Sequence, residues 1–529
     1  MAFPYHQIGR RVDVINPYDV VCFVPVYNPL PPAFLVRMDV HLSITLHQFM
    51  VNEGLVPSPE ETLKRETIIR KLKKIVQEWI IKIHQRKLSK QRRNLRINNA
   101  SATIFTYGSF GLGVHNSESD IDAICVGPRF ATLEEDFFIV LYNMLKSSPS
   151  VSEIYCVKDA KVPLMRFKFE GISVDMPYAQ LRVMSVPENV DLLNPMFVTS
   201  IDETSLKSLS GVCANQRILQ LVPNLENFQS LLRCIKFWAK QRGVYGNLFG
   251  FLGGIHWAIF SAFICQTSPD ACLSALVMNF FNTFANWPWP TPVVLQDGRM
   301  HVVQDVTEKV NWMPIGLPCS PNQWCQSNVT RSTFNRIKKE FLRGHEIAKE
   351  ILRPNFDWDC LFEPYSIMYR HLYPQFLKIY LLSRTKDELG EWAGWVKSRF
   401  PSLILKLEDI HMSCDPNPTE HVDSGTSVVF YWGLNIDQCT DVNVTSLEKE
   451  FRNCLSNSYR GTPGQMLLSI VPASELPNTE QFSARKMKGM KAFCGIPEHD
   501  QYRMPVYSEH LPNYFVGYVA SEGNAGVLV

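Results

Sequence analysis

Two carboxylates, two residues apart at the start of an apolar run, constrain this chain more than any other feature. Asp120 immediately precedes the segment 121–126, and Asp122 is its second residue. The composition of this segment predicts a β-strand. Residues i and i+2 of a strand point to the same face, so the two carboxylates should lie side by side. They would repel each other unless a cation joined them, and hard divalent ions such as Mg²⁺ prefer oxygen ligands. Taken alone, the pair also fits an ordinary surface strand, and that alternative stays open at this point.

Gly108 and Ser109 favour the metal-binding interpretation. They follow an alternating segment, 103–107, and precede the paired carboxylates by about a dozen positions. A glycine lets the backbone approach a phosphate closely, and serine adds a hydroxyl beside backbone N–H groups. Asp175 lies midway in a later alternating strand, where a lone carboxylate is unfavourable to bury, and it is the natural third ligand. Together these residues predict phosphoryl-transfer chemistry with two divalent ions, Mg²⁺ or Mn²⁺.

Size and composition limit the remaining possibilities. The chain has 529 residues, which indicates about two to four domains, and its 46% hydrophobic and 20% charged residues are typical of a soluble globular protein. The net charge is only +2, and the one strong asymmetry lies at 60–96, with thirteen Lys/Arg against four Glu. Fourteen cysteines without a CxxC pair argue against a metal ribbon or disulfide scaffold and fit a cytosolic or nuclear compartment.

Apolar periodicity predicts three successive regions of the chain. The first is α/β, the second is mostly helical and the third is α+β. Strands are predicted at 103–107 and 121–126, as a hairpin of 164–169 and 172–176, and at 376–382 and 427–432. Helices are predicted at 59 to about 85, 133–145, 387–400 and 447–455. Residues 1–35 are expected to form an irregular arm. The apolar stretch 250–265 is shorter than the roughly 20 residues of a membrane span, so we expect a buried helix there and no membrane partner.

Longer motifs resemble the eukaryotic poly(A) polymerase family, with the plant-type nuclear members nearest. The resemblance rests on GSFGLGVHNSESDIDAICVGPR, VDMPYAQL, NWPWPTPVVL and the long segment ILQLVPNLENFQSLLRCIKFWAKQRGVYGNLFGFLGGIHWA, in family order over roughly residues 25–500. It implies a three-domain architecture: an N-terminal arm with part of the central domain at 1–67, a nucleotidyltransferase catalytic domain at 68–182, a helical central domain at 183–360, an RRM-like RNA-binding domain at 361–500 and a tail at 501–529.

The resemblance also implies a reaction and its partners. The expected activity is polynucleotide adenylyl transfer, in which AMP from ATP is added to an RNA 3′ end during mRNA polyadenylation by in-line attack and release of pyrophosphate. The expected partners are ATP, the RNA 3′ end and mRNA 3′-processing factors, with the enzyme itself a monomer. The nucleus is the expected location, and the cytoplasm is the alternative because no long tail with import signals follows the third domain.

Site residues follow from the resemblance position by position. Two divalent ions would be held by Asp120, Asp122 and Asp175. The ATP site would be formed by Gly108, Ser109, Asp175, Lys236, Lys240, Tyr245, Gly254 and Ile255, the last two near the base and sugar. The residues themselves support part of this, because Lys236 and Lys240 are spaced i, i+4 on a predicted helix and would form a basic stripe. A solvated charged face is the alternative for that stripe.

Four positions depart from the family pattern. Gly111 and Cys213 stand where the family has Arg, Ser210 stands where it has Asn, and Leu317 stands where it usually has Thr. Because the three aspartates are intact, we expect an active enzyme. Because Ser210 and Leu317 fall near the sugar and base, we expect altered donor affinity.

RNA contacts are predicted from local charge and exposed aromatic residues. A basic cluster near the third domain, suited to phosphates, consists of Arg485, Lys486, Lys488 and Lys491. The segment 82–96 could guide RNA, act as an import signal or be a solvated loop. Tyr431 and Trp432 are candidates for base stacking, with core packing expected for at least one of them.

Three other functions fit parts of the pattern. A terminal uridylyltransferase or another noncanonical tailing enzyme would keep the fold and change the nucleotide. An RNA-binding scaffold with a decayed donor site would keep the fold and lose the reaction. The oligoadenylate or cyclic-dinucleotide synthases share Gly-Ser and Asp-x-Asp, but the third domain argues against them.

Overall fold

The computed structural model describes residues 33–90, 100–158, 160–198, 201–297, 311–319, 323–351, 356–435, 443–456, 459 and 461–477. All of them belong to one compact unit. The predicted arm up to residue 32, the tail, and the basic cluster of Arg485, Lys486, Lys488 and Lys491 lie outside the described residues.

The strands are β1 (Thr103–Tyr107), β2 (Ile121–Gly127), β3 (Val151–Val157), β4 (Leu164–Phe169), β5 (Ile172–Gln180), β6 (Gln375–Leu382), β7 (Ser413–Asp415), β8 (His421–Ser424), β9 (Ser427–Asn435) and β10 (Gln465–Pro472). The helices are α1 (Ala33–Asn52), α2 (Pro59–Lys90), α3 (Gly108–Gly111), α4 (Tyr142–Lys146), α5 (Pro195–Val198), α6 (Glu203–Leu221), α7 (Leu225–Gln241), α8 (Gly254–Thr267), α9 (Leu273–Ala285), α10 (Arg331–Lys349), α11 (Asp359–Phe362), α12 (Tyr365–Leu372), α13 (Lys386–Lys397), α14 (Phe400–Asp409) and α15 (Val444–Ser456).

The first sheet has the strand order β1-β2-β5-β4-β3, and β2 and β5 run parallel while the other neighbours are antiparallel. The predicted strands at 103–107 and 121–126 and the predicted hairpin are confirmed. The strand β3 was not predicted. Its pairing with β4 contains an irregularity next to Glu153, which has a φ of 52°, and this interrupts the two-residue alternation that reveals the other strands.

Helices cover both faces of this sheet. On one face, α2 packs with the segment Leu133–Leu141, which is wound as a π-helix and continues into α4. The helix α2 begins with a reciprocal cap between Ser58 and Glu61 and runs five residues past its predicted end at 85. On the other face, α6 buries Leu209 and Val212 against Ile124 and Val126.

The helical part has an aromatic core around Trp238 of α7. The ring of Trp238 lies 5.8 Å from the ring of Trp257 in α8 and 5.8 Å from the ring of Phe341 in α10. The helix α1 joins this core through Leu42, Leu46 and Met50, so the chain is already helical at residue 33, two residues before the predicted end of the arm. The expected buried helix at 250–265 is α8, and no helix in the described ranges is long and apolar enough to cross a membrane.

The second sheet has the order β10-β6-β9-β7, with β8 also on β9, and all its pairs are antiparallel. Two helices, α14 and α15, bury their apolar sides against one face of it, and α12 lies on the other face. The predicted strands and the helix at 447–455 are confirmed. The helix predicted at 387–400 is α13, which ends three residues earlier at Lys397. The helix α14 was not predicted, and Pro401 fits its first turn.

Both aromatic residues considered for base stacking are buried. Trp432 packs edge-to-face on Phe400, with 4.8 Å between ring centres. Tyr431 lies on the opposite face, in the cluster that includes Tyr365 and Tyr369 of α12. Core packing therefore accounts for both residues, and neither presents a ring to a nucleobase.

A buried ionic network joins the helical part to the second sheet. Arg242 donates from Nε to Glu340 Oε2 at 2.7 Å, and Arg336 donates from Nη1 to Glu340 Oε1 at 2.7 Å. Arg336 also lies 3.4 Å from Asp415 of β7, whose carboxylate accepts a hydrogen bond from Tyr365 at 2.6 Å. Burial by itself would raise the pKa of Glu340, but Arg336 and Arg242 outweigh it and lower this pKa to about 2.

We expect Glu340→Ala to lower the free energy of unfolding by about 3–5 kcal/mol, because it leaves two buried guanidinium groups without their shared anion. Urea and thermal denaturation would measure the loss. Glu346→Ala is the matched control on the same helix, since the Glu346–Lys349 pair is exposed and should contribute about 1 kcal/mol or less. Equal losses in the two variants would show that the network does not stabilise this junction.

Candidate active site

Three aspartates meet at the junction of β2 and β5. In the parallel pairing of these strands, Asp122 lies directly beside Asp175, and Asp120 immediately precedes β2. Asp120 is exposed, while the Asp175 side chain is only 14% exposed. The strand pairing thus brings together two aspartates that stand 53 positions apart in the sequence.

The clustered negative charge is only partly compensated. Burial, followed by the charges of Asp175 and Asp120, raises the pKa of Asp122 to about 7, although Lys236 and Arg166 act in the opposite direction. The buried Asp122 carboxyl group therefore keeps its proton to a higher pH than an exposed aspartate does. A cation bound among these oxygens would relieve the repulsion.

The Gly108–Ser109 turn lies against Asp122. Tyr107 at the end of β1 pairs with Asp122, and Gly108 then turns the chain with a φ of 61° into the short helix α3. A Cβ atom at position 108 would lie 1.9 Å from Asp122 Oδ2, so only glycine fits. This close approach places the backbone of Ser109 next to the aspartates.

The loop before Asp120 is held by Arg65, a residue that the sequence analysis missed. Arg65 lies buried in α2 and donates to the carbonyl oxygens of Ser119, Ser117 and Asn116 at 2.6, 2.8 and 3.2 Å. A usable signal was present, because Arg65 stands three residues before Ile68 on the apolar face of α2. A charged residue on such a face requires buried partners.

Side chains of the helical part hold the loop after Ser109. Asn215 of α6 donates to the carbonyl oxygen of Gly108 at 3.1 Å, and Gln229 of α7 donates to that of Leu112 at 3.0 Å. Arg233 donates to the carbonyl oxygen of Gly113. The geometry of the Gly108–Gly113 segment thus depends on α6 and α7 as well as on the first sheet.

Two of the predicted triphosphate contacts, Lys236 and Tyr245, lie within electrostatic reach of Asp122. Burial, together with Lys240 and Arg233, outweighs Asp122 and lowers the pKa of Lys236 to about 8. Burial and the charge of Asp122 raise the pKa of Tyr245. Lys240 is exposed, and its Nζ lies 5.5 Å from the centre of the Tyr245 ring. The basic stripe is therefore half-buried at Lys236 and faces the carboxylates there.

Gly254 and Ile255 form the first turn of α8. A Cβ atom at Gly254 would lie 3.1 Å from the Tyr245 hydroxyl, so this turn directly adjoins the Tyr245 ring. His256 accepts a hydrogen bond from the Gly253 amide at 3.0 Å and caps the helix. The N-terminus of α8 carries the positive end of the helix dipole, which suits an anionic or polar ligand.

Arg166 is a further residue that the sequence analysis missed. It lies on β4 directly beside Asp175 of β5, and its Nε and Nη2 atoms donate to Asp175 Oδ1 and Oδ2 at 2.6 and 2.5 Å. In the described part of the chain, no three His, Cys, Asp or Glu side chains converge as they stand on a point that could hold a metal ion. Both Asp175 oxygens accept hydrogen bonds from Arg166.

The residues nevertheless fit a divalent ion. Asp120, Asp122 and Asp175 carry carboxylate oxygens, the hard ligands that such ions prefer, and burial followed by the two neighbouring charges raises the pKa of Asp122. The Gly108 cradle leaves no room for a side chain over these oxygens. A cation at this position would lie between the sheet and the Gly108–Ser109 turn.

The four residues that depart from the family pattern contact main-chain carbonyl groups or the helical core. Ser210 is exposed and donates to the Lys207 carbonyl oxygen at 2.7 Å, and Cys213 is buried with its Sγ 3.5 Å from the Leu192 carbonyl oxygen. Leu317 is half-buried against the helical core, and its amide donates to the carbonyl oxygen of Gln323. A Cβ atom at Gly111 would lie 2.8 Å from the Thr106 carbonyl oxygen.

Known proteins share this organisation. Residues 29–222 match the model of the poly(A) polymerase nucleotidyltransferase domain, and residues 227–364 match that of the poly(A) polymerase central domain. Nuclear poly(A) polymerase 3 of Arabidopsis thaliana is 52% identical over 91% of this chain and 94% of its own length. Nuclear poly(A) polymerase 1 of the same plant is 40% identical over 86% of this chain and 66% of its own length. The poly(A) polymerase of Dictyostelium discoideum is 38% identical over 72% of this chain and 48% of its own length.

A mixed sheet that carries the aspartates beside a Gly-Ser turn, packed on a helical part, defines the nucleotidyltransferase class. The chain belongs to the poly(A) polymerase family, whose members add adenylate to RNA 3′ ends, and the resemblance stated from the sequence is confirmed. A solved structure of the Cid1 poly(U) polymerase is 14% identical to this chain, with a TM-score of 0.44 over 61% of this chain and 99% of its own.

We expect metal affinity to rise with pH through about 7, because Asp122 must lose its proton before it can accept an ion. Calorimetry of Mn²⁺ binding in buffers of different ionisation enthalpy would also detect the released proton. Asp122→Asn should bind Mn²⁺ weakly and without this pH dependence. A wild-type affinity that stays flat from about pH 6 to about pH 8 would contradict the assignment.

We expect Gly108→Ala to reduce nucleotidyl transfer about 100-fold or more, since the new Cβ must push Asp122 or the turn out of place. Primer extension would measure the loss. Gly171→Ala is the control for backbone strain alone, because Gly171 has a φ of 83° with open space around its missing Cβ. Similar activity losses in both variants would mean that strain, and not the contact with Asp122, is responsible.

Proposed function

We propose that this chain transfers AMP from ATP to the 3′ end of RNA and releases pyrophosphate. The observation that carries the proposal is the pairing of Asp122 with Asp175 beneath Gly108, with Lys236 close enough to alter the charge of Asp122. Membership of the poly(A) polymerase family supports the same reaction.

Asp120, Asp122 and Asp175 would hold two divalent ions, Mg²⁺ or Mn²⁺. When bound, such ions lower the pKa of the attacking hydroxyl and stabilise negative charge on the leaving oxygens. Support for this ligand set comes from the oxygen-only chemistry of the three side chains and from the raised pKa of Asp122.

The triphosphate would lie between the Gly108–Ser109 turn and the basic side of α7. Ser109 and the backbone beside it would donate hydrogen bonds to phosphate oxygens, and Lys236 would neutralise their charge from below. Lys240 and Tyr245 would hold the outer phosphates, and the first turn of α8 at Gly254 and Ile255 would face the base and sugar. The half-buried position of Lys236 supports this arrangement, because a buried ammonium group gains from an anionic ligand.

Asp175 would orient the RNA 3′-hydroxyl and accept its proton. The 3′-oxygen would then attack the α-phosphorus in line with the departing pyrophosphate, and the reaction needs no covalent enzyme intermediate. The Asp175 side chain is only 14% exposed at the base of the site. This burial supports a role in positioning the 3′-hydroxyl rather than in attracting ligands from a distance.

The proposal also assigns a role to each domain of the chain. We assign 68–182 to catalysis, with 1–67 as arm and part of the central domain, and 183–360 to the helical central domain. The unit at 361–500 would be RRM-like and bind RNA, which the antiparallel strand order β10-β6-β9-β7 and the placement of α13 and α14 after β6 and of α15 before β10 support. The cluster at Arg485, Lys486, Lys488 and Lys491 remains a prediction for phosphate contacts.

Location and assembly complete the proposal. Two relatives are named as nuclear enzymes, and a nuclear location fits both names. We also propose that the enzyme acts as a monomer together with mRNA 3′-processing factors.

We expect wild-type protein with an oligo(A) primer and Mg²⁺ or Mn²⁺ to extend with ATP far more than with UTP, GTP or CTP. Asp122→Asn should lose about 100-fold or more of this activity while binding RNA normally, because it removes a ligand of the ions. Asp270→Asn, in the exposed turn between α8 and α9, is the control and should act like the wild type.

The same assay distinguishes the other candidate functions. Preference for UTP would make the chain a uridylyltransferase on the same fold, an outcome that the departures at Ser210 and Leu317 make worth testing. No turnover with any nucleotide, with equal RNA binding by wild type and Asp122→Asn, would overturn catalysis and leave an RNA-binding scaffold.

A further inference from the structure

Arg166 forms the most complete ion pair at the active site. Its guanidinium group lies against Asp175 in the planar, two-bond geometry that is the strongest form of this contact. The pairing of β4 with β5 places the two residues directly beside each other, so the contact is built into the sheet. The Asp175 side chain is 14% exposed, while that of Arg166 is 46% exposed and therefore has space to move.

The three aspartates differ in this respect. Within the described ranges, no lysine or arginine forms an ion pair with Asp120 or Asp122, although both oxygens of Asp175 are occupied. A divalent ion needs an Asp175 oxygen that faces Asp122, and a guanidinium group in front of that carboxylate opposes the ion by both charge and geometry. Loading the ion must therefore displace Arg166.

We propose that Arg166 is a built-in counter-ion of Asp175 and is displaced when a divalent ion and the nucleotide bind together. This inference rests on the proposed function, since it requires the aspartates to hold the ion. Arg166 acts through Asp175, which makes it a positioning residue: it keeps the carboxylate oriented without an ion and makes loading by an ion alone unfavourable.

The nucleotide explains how the ion overcomes this opposition. A nucleoside triphosphate brings several negative charges, adds oxygen ligands for the ion and offers the released guanidinium group a new anionic partner. Ion and nucleotide should therefore strengthen each other's binding, and the coupling must be equal in both directions. Without Arg166, the ion alone should bind better and the coupling should shrink.

Mn²⁺ binding to the full chain, followed by electron paramagnetic resonance with and without a non-hydrolysable ATP analogue, tests this directly. Arg166→Gln should bind Mn²⁺ about tenfold more tightly than wild type without nucleotide, and the nucleotide should enhance its affinity about tenfold less than in wild type. Arg166→Lys keeps the charge and loses the two-bond geometry, so it should show a smaller shift of about threefold.

A matched control comes from the same strand. Lys168, two residues along β4, forms an exposed pair with Glu153 at 2.8 Å, so Lys168→Gln removes one positive charge without touching Asp175. Its Mn²⁺ affinity should stay within about twofold of wild type. If Arg166→Gln does not fold, as a melting curve would show, the threefold shift in Arg166→Lys decides.

Two outcomes would overturn the inference, and they are distinguishable. If wild type binds Mn²⁺ and the Arg166 variants bind it equally or more weakly, the metal site stands and the counter-ion role is wrong. If the wild type binds no Mn²⁺ with or without the nucleotide, the proposed metal site fails and the counter-ion role fails with it.

Discussion

The repulsion among three carboxylates is the constraint on which the rest of this structure depends. Asp122 and Asp175 are adjacent on parallel strands, and Asp120 adds a third charge at the exposed edge. Their proximity would destabilise the fold if all of the charge stayed uncompensated. Three features offset the negative charge: the ion pair of Arg166 with Asp175, the positive charge of Lys236 near Asp122, and the raised pKa of Asp122, which favours its neutral form. Two of these features, the Arg166 pair and the raised pKa of Asp122, would oppose a divalent ion that binds alone.

The first sheet and the helical part together determine the shape of the site. The sheet supplies the aspartates, but Asn215 and Gln229 from α6 and α7 fix the backbone of the Gly108 turn by direct hydrogen bonds. Arg65 does the same for the loop before Asp120. A change in the position of the helical part would therefore shift the turn relative to the aspartates. This coupling is local and physical, since it passes through single hydrogen bonds to main-chain carbonyl groups.

Elements and spacings that depend on neighbouring residues could be predicted from the sequence. Contacts that depend on how strands pair or helices pack could not. Alternation revealed β1, β2, β4 and β5, and the spacing of Asp120 and Asp122 followed from one strand. The contact between Arg166 and Asp175 depends on the register of β4 against β5, and the hydrogen bonds of Arg65 depend on how α2 packs, so neither could be read from spacing. The helix predicted at 387–400 ends just before Pro401, and the prediction missed α14, whose first turn accommodates that proline.

The departures from the family pattern separate donor choice from chemistry. Ser210 satisfies its hydroxyl on its own helix and Leu317 packs on the helical core, so neither touches the aspartates. Gly111 follows the turn by three residues, and a side chain there would press on the Thr106 carbonyl oxygen and on Asn215, which holds Gly108. Glycine at this position thus relaxes the contact between α3 and α6 without altering any metal ligand. The four departures thus leave Asp120, Asp122, Asp175 and Gly108 in place, and any effect on the choice of nucleotide would have to arise elsewhere in the proposed site.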